Sequence, residues 1–198
     1  MKSKGSIITI AVIALFVVWL ISMAISFNNN AVTKDEGVQT AWSQVENQYQ
    51  RRADLIPNLV NTVKGYASHE KETLEGVINA RAKATQTTID PTNMTPESMQ
   101  QFMDAQGELS QALSKLMVTV ERYPDLKANE NFLALQNQLE GTENRIATER
   151  MRFNETARDY NTYIRTFPNM IFAGIFGFQQ KPYFEAEAGA NQAPNVEF

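Results

Sequence analysis

From Gly5 to Thr33 the chain carries no charged side chain, and inside that interval Ser6 to Phe27 reads SIITIAVIALFVVWLISMAISF. As a helix, at about 1.5 Å per residue, this run reaches roughly 33 Å, enough to cross a hydrocarbon core of about 30 Å. It constrains everything that follows: such a segment either spans a bilayer or is removed as a signal peptide. Lys2 and Lys4 give the basic start that both share, and Ser22 and Ala24 are small enough to precede a cut. The apolar run nevertheless continues through Ile25 and Phe27, longer than the about 7 to 15 residues of a signal core, so an uncut anchor over residues 6–27 is expected.

Lys2 and Lys4 precede the span, whereas Lys34 is followed at once by Asp35 and Glu36. The basic-side rule then predicts a cytoplasmic N-terminus and an exported C-terminal domain, single-pass in a bacterial inner membrane. The organisation expected is a short basic N-terminus (1–5), the anchor (6–27), a helical domain (28–180) and a disordered tail (181–198), in which YFE is the one candidate for order. Residues 28–198 hold 16 basic and 22 acidic side chains, a net charge of −6. That balance suits neither nucleic acid nor an anionic lipid surface, both of which reward basic patches.

Beyond the polar collar Asn28–Asn30, apolar residues step by four and three along Val38, Trp42, Val45, Tyr49, Ile56, Leu59, Val63 and Tyr66, then Leu74, Val77 and Ile78. This is the stripe of an amphipathic helix. The threonine- and proline-rich segment 85–96 interrupts it as a loop. Thr95 as N-cap and Pro96 in the first turn start a second helix, with Met99, Phe102, Met103, Leu109, Leu113, Leu116, Met117 and Val120 on one side. Pro124 turns the chain. A third helix runs from near Leu126 to Phe167, with Phe132, Leu135, Leu139, Ile146, Phe153, Ala157, Tyr160, Ile164 and Phe167 on its stripe, and Pro168 ends it.

The predicted fold class is therefore all-α: an N-terminal transmembrane helix followed by an antiparallel bundle of three long (or four) helices. A first helix unbroken from 33 to 88 would reach about 84 Å, against about 40 Å for the second. It must project as a stalk, or bend near Pro57 or Gly65. Pro57 lacks the N–H that bonds the carbonyl of Ala53, so it is the expected kink.

Polar residues interrupt two of the stripes. Arg52 falls on the seam between Tyr49 and Ile56, with Arg51 and Asp54 beside it. Glu149 falls on the third helix's seam, with Glu143, Asn144, Arg150 and Asn154 nearby. A buried arginine needs a partner, so these eight residues are expected to form a buried or half-buried polar network that sets helix register, with Arg52 paired to Glu149, in preference to the alternative of a ligand site. The stretch 169–178 is too short to span a bilayer and is expected to cap the open end of the bundle. In the other reading, Met170, Ile171, Phe172, Ile175, Phe176 and Phe178 meet lipid or a partner groove.

No catalytic constellation emerges. There is no cysteine and a single histidine, His69. In SHEKET the second histidine of the zinc-protease pattern is replaced by Thr73, and no phosphate-binding glycine loop or G-x-S-x-G is present. No cofactor, no metal and no catalytic residue is expected.

The blocks QRRADLIPNLVNTVKGYASHE, YPDLKANENFLALQNQLEGTENRIATERMRFNETARDYN and FPNMIFAGIFGF with the later YFE resemble the signature blocks of the LemA family. The resemblance covers nearly the whole chain after the anchor; FNNNAV stands where such proteins have a tyrosine-asparagine start, so Phe27 departs from the pattern. It implies a bacterial membrane protein with one N-terminal anchor, an all-α bundle outside the membrane and no assigned enzymatic activity. The functional expectation is a membrane-anchored scaffold, held in lipid through residues 6–27 and self-associating as a homo-oligomer. The alternative is an adaptor for a membrane protein partner such as a membrane protease.

Overall fold

A computed structural model of the chain describes residues 4–185, and among these every regular element is helical. The helices are α1 (Lys4–Tyr66), α2 (Lys71–Gln86), α3 (Pro96–Val120), α4 (Pro124–Lys127), α5 (Glu130–Arg165) and α6 (Asn169–Phe176). They form two compact units: residues 41–154 with 182–185, and residues 4–40 with 155–181. The helices α1 and α5 contribute to both.

In the unit built on 41–154, α1 turns into α2 through Ala67–Glu70, where Ala67 N donates to Val63 O at 2.8 Å and Glu70 N to Ala67 O at 3.1 Å. The long first stripe of the sequence is thus two helices, and the break falls just after Gly65. At Pro57 the helix is uninterrupted. Pairings at successive levels show antiparallel neighbours. Asn129 meets Tyr66 while Glu143 meets Arg52, so α5 runs against α1. Arg122 and Tyr123 reach Glu70 while Gln106 reaches Ala84, so the chain through α3 runs against α2. The result is a four-helix bundle of α1, α2, α3 and α5.

Its core includes Ile56, Leu59 and Val63 from α1, Leu74 and Val77 from α2, Leu109, Leu113 and Leu116 from α3, and Phe132 and Leu139 from α5. Each such side chain contributes about 1.5–3 kcal/mol when withdrawn from water. A second apolar group is aromatic: the Trp42 ring lies 5.1 Å from Phe102, 5.7 Å from Phe153 and 5.9 Å from Phe184. The start of α3 is the one predicted: Thr95 Oγ1 accepts from Ser98 N and Ser98 Oγ from Thr95 N, both at 3.1 Å, a reciprocal cap. Beyond α3, the helix expected to begin near Leu126 is divided into the short α4 and the long α5.

In the other unit the side chains of residues 6–22 are all exposed, as they must be in a segment that packs on no part of its own chain. Burial begins at Phe27 and continues with Ala31 and Val38, while α5 contributes Ala157, Tyr160 and Ile164. Phe27 stacks on Tyr163 at 5.6 Å, and a Cβ placed at Gly37 would lie 3.6 Å from Thr156, so α1 and α5 are antiparallel here too. Gly177, at φ 77°, ends α6 in the left-handed conformation that suits glycine.

At the start of the expected disordered tail Lys181 is buried, and so is Phe184 in the YFE stretch that is its candidate for order, while Tyr183 and Glu185 are exposed. Residues 186–198 of that expected tail lie outside the described residues.

Candidate functional site

The polar interruption of the first stripe becomes a buried arginine. Arg52 is 1% exposed. Its Nη1 donates to Glu143 Oε1 at 2.7 Å and to Ser110 Oγ at 3.0 Å; its Nη2 donates to Gln106 Oε1 at 2.7 Å and to Gln106 O at 3.3 Å. The guanidinium also sits over the Tyr49 ring at 5.2 Å. Gln106 in turn donates through Nε2 to the carbonyl of Ala84 at 3.2 Å. One cation thereby connects α1 to α3 and α5, and its glutamine partner extends the connection to α2. A planar five-donor group is suited to such branching, whereas an ammonium is not.

Pro57 is handled separately. Without its N–H the carbonyl of Ala53, four residues earlier, has no helical partner. Arg81 of α2 supplies one: its Nε donates to Ala53 O at 2.7 Å. Ala53 is itself buried, so the orphaned carbonyl would otherwise cost about 1–3 kcal/mol. The proline therefore marks a helix-helix contact.

Of the eight network residues proposed from sequence, the structure joins Arg52 to Glu143. The carboxylate with which Arg52 was expected to pair, Glu149, instead receives Arg152 Nη1 at 2.8 Å, one turn along the same helix. Arg51 and Asn144 are exposed, and Asp54 is exposed and accepts from Gln50. Arg150 donates to Glu185 O at 3.0 Å and lies over the Phe184 ring at 4.9 Å. Asn154 grips the backbone of Phe184, accepting from its N at 2.8 Å and donating to its O at 2.9 Å. Helical stepping alone could not choose between Glu143 and Glu149, because the choice depends on how the facing helix is rotated.

The other unit holds a second buried cation that the sequence did not disclose. Lys181 Nζ lies 2.8 Å from Asp35 Oδ1, and Nζ is 5.9 Å from the centre of the Tyr160 ring. Asn161 clamps the backbone of Lys181, donating to its O and accepting from its N, both at 2.8 Å. Tyr160 donates to Gln179 O at 3.0 Å. Burial, with the Asp35 charge as a smaller cause, pushes the Tyr160 phenol up to about 12.

Around the Arg52 network the bundle opens as a cleft of about 480 Å³, walled by Tyr49, Asp104, Gln111, Glu143, Ile146, Arg150 and Glu185 among others. Charges of both signs face it, so it can offer hydrogen bonds and ion pairs to a polar group but no concentrated field of one sign. His69 is exposed on the turn before α2. Among the described residues no cluster of histidine, aspartate and glutamate could hold a metal ion.

Together these features define an all-α protein with a four-helix bundle and one N-terminal helical segment long and apolar enough to cross a membrane. Residues 41–198 match the LemA family, and the chain belongs to it. It is 28% identical over 211 residues to magnetosome protein MamQ 2 of Paramagnetospirillum magneticum, which covers 98% of this chain and 77% of that protein. It is 28% identical to magnetosome protein MamQ of Magnetospirillum gryphiswaldense over 94% of this chain and 75% of the relative. Protein LemA of Metamycoplasma hominis is 24% identical over 70% of this chain and 60% of its own length.

Proposed function

We propose that this protein is a single-pass membrane-anchored scaffold of the bacterial envelope that acts by self-association and by holding partners, without catalysis. The observation that carries this reading is α1. One helix runs without interruption from a segment whose side chains are all exposed, residues 6–22, into positions with no exposed surface, such as Val45 and Ile56. Placing the first part in a bilayer satisfies its apolar surface. Three of the relatives are named magnetosome proteins. The N-terminus faces the cytoplasm and the helical domain is exported, as the lysines before the span favour.

The test is the mass of the full chain in mild detergent, by light scattering during gel filtration, together with cross-linking in native membranes. A defined oligomer in both supports the scaffold; a monomer in both sinks self-association as the main role. A second reading, an adaptor for a membrane protein partner such as a membrane protease, is favoured by the open cleft of mixed charge beside Arg52. Changing Gln111 and Asp104 at its wall would then abolish partner capture and leave the oligomer intact.

A further inference from the structure

The helix α6, NMIFAGIF, carries no charged side chain. One side of it and the residues just after it close around the last apolar residue of the proposed span. The Phe27 ring is 5.7 Å from Phe172, 6.2 Å from Phe176 and 5.7 Å from Phe178, and Phe27 is only 2% exposed. The adjoining surface is largely uncovered within the unit: Met170 is 57% exposed, Ile171 53%, Ile175 71% and Phe176 itself 47%, and Phe167 just before the helix is 75% exposed. Large apolar side chains concentrated in this way on a short helix mark a contact surface.

We propose that α6 lies in the interfacial zone of the bilayer, on the leaflet where the span emerges, as a second lipid contact of the chain. The proposal rests on residues 6–27 being a span. Continuity identifies the occupant: Phe27 ends the apolar run, so whatever packs on its ring shares its depth. The backbone is prepared for a water-poor setting. Met170 N donates to Thr166 O, Ile171 N to Pro168 O and Phe178 N to Ala173 O, so both ends of the helix have partners. Polar groups flank the same level: Asn28 to Asn30 follow Phe27, Lys34 Nζ lies 5.7 Å from the Tyr163 ring centre, and Arg165 is exposed at the end of α5. Cations on long stems at that boundary can reach headgroup phosphates while their methylenes stay in apolar surroundings. A second copy is the weaker occupant, because eight residues, about 12 Å of helix, fall well short of the roughly 800 Å² per partner of a stable interface.

The chain has no cysteine, so single labelling sites can be placed at will. Ile175→Cys, Ile171→Cys, Leu15→Cys and Asn137→Cys, each carrying a nitroxide, are reconstituted as full chain in phosphatidylcholine–phosphatidylglycerol vesicles after circular dichroism confirms an unchanged helical signal. Oxygen and nickel-chelate accessibilities are then read by power saturation. The expected result is an oxygen-to-nickel ratio at 175 and 171 several-fold above that at 137, corresponding to a depth between the headgroups and position 15. Nickel access at 175 and 171 equal to that at 137, with position 15 in lipid, overturns the placement of α6 and leaves the span standing. Nickel access at position 15 as well overturns the span and the placement with it. Protection at 175 and 171 with spin-spin broadening that disappears on dilution with unlabelled protein assigns the face to a second copy and overturns the lipid contact.

Discussion

Each of the two units encloses a cation, and they do so by different means. Arg52 is held by side chains and one carbonyl from α3 and α5, and its carboxylate partner Glu143 keeps 46% of its side-chain surface in water. Lys181 belongs to an extended segment; its backbone is clamped by Asn161, and its partner Asp35 keeps only 22%. An arginine can distribute its donors over several helices and so tolerate a half-hydrated counter-ion. A lysine concentrates its charge on one nitrogen, so a close carboxylate such as Asp35 matters more to it.

The largest effect should come where the pair is more enclosed. Asp35→Leu leaves Lys181 buried without its carboxylate and is expected to cost about 3 kcal/mol in chemical denaturation of the detergent-solubilised chain. If the loss is instead smaller than that at Glu143, the contrast between the two cations fails.

Next is the bundle pair. Glu143→Leu is expected to cost about 2 kcal/mol, less because the carboxylate is half hydrated and Arg52 retains Gln106 and Ser110. Arg52→Met should cost about 1 kcal/mol, since the freed Glu143 can turn to water. In double-mutant cycles Arg52 and Glu143 should couple, whereas Arg52 and Glu149 should be additive. Coupling to Glu149 would restore the pairing expected from stepping and contradict the geometry described above.

Arg81→Met tests whether the proline contact is independent of both cations. It should cost about 1–2 kcal/mol, because the Ala53 carbonyl loses its donor. In a Pro57→Ala background the new N–H can bond that carbonyl, so the same change should cost markedly less. An equal cost in both backgrounds would show that Arg81 acts through packing alone.

The smallest effect appears with alkali and belongs to the lysine side of the comparison. The Tyr160 phenol, held at about 12 in the folded chain, ordinarily titrates near 10. Below pH 10 both states keep the proton and the stability is whole; between pH 10 and 12 the unfolded state loses it first and stability falls. The loss attributable to Tyr160 should be about 1 kcal/mol at pH 11. Tyr160→Phe should flatten the decline between neutral pH and pH 11 by that amount, and an unchanged slope would exclude Tyr160 as a source of alkaline sensitivity.

Much of the fold and part of the site are legible in the sequence. The apolar stripes mark the core faces, because a helix exposes the same side every three or four residues whatever packs there. Arg52 stood out for the same reason, as a charge where the stripe calls for an apolar residue. Lys181 gave no such signal: in a short segment of mixed composition a lysine is ordinary. Asn161 sits one residue past the seam position Tyr160 and looked like one more surface residue, whereas Arg81 falls on the three-four stepping of Leu74, Val77 and Ala84, the same signal that marks Arg52.

By itself, then, the sequence determined the local chemistry: an uncharged run long enough to cross a bilayer, helices punctuated by Thr95, Pro96 and Pro124, and an arginine that had to be paired. Those features depend on neighbours a few residues away, and short-range sterics and hydrophobic periodicity are enough to settle them. Tertiary structure alone decided that the first stripe breaks after Gly65 and continues through Pro57. It likewise decided that Glu143 rather than Glu149 answers Arg52, and that Asp35, Tyr160 and Asn161 converge on Lys181. Each outcome turns on the rotation of one helix against another, set by the packing of many side chains at once, and no single residue's spacing records it.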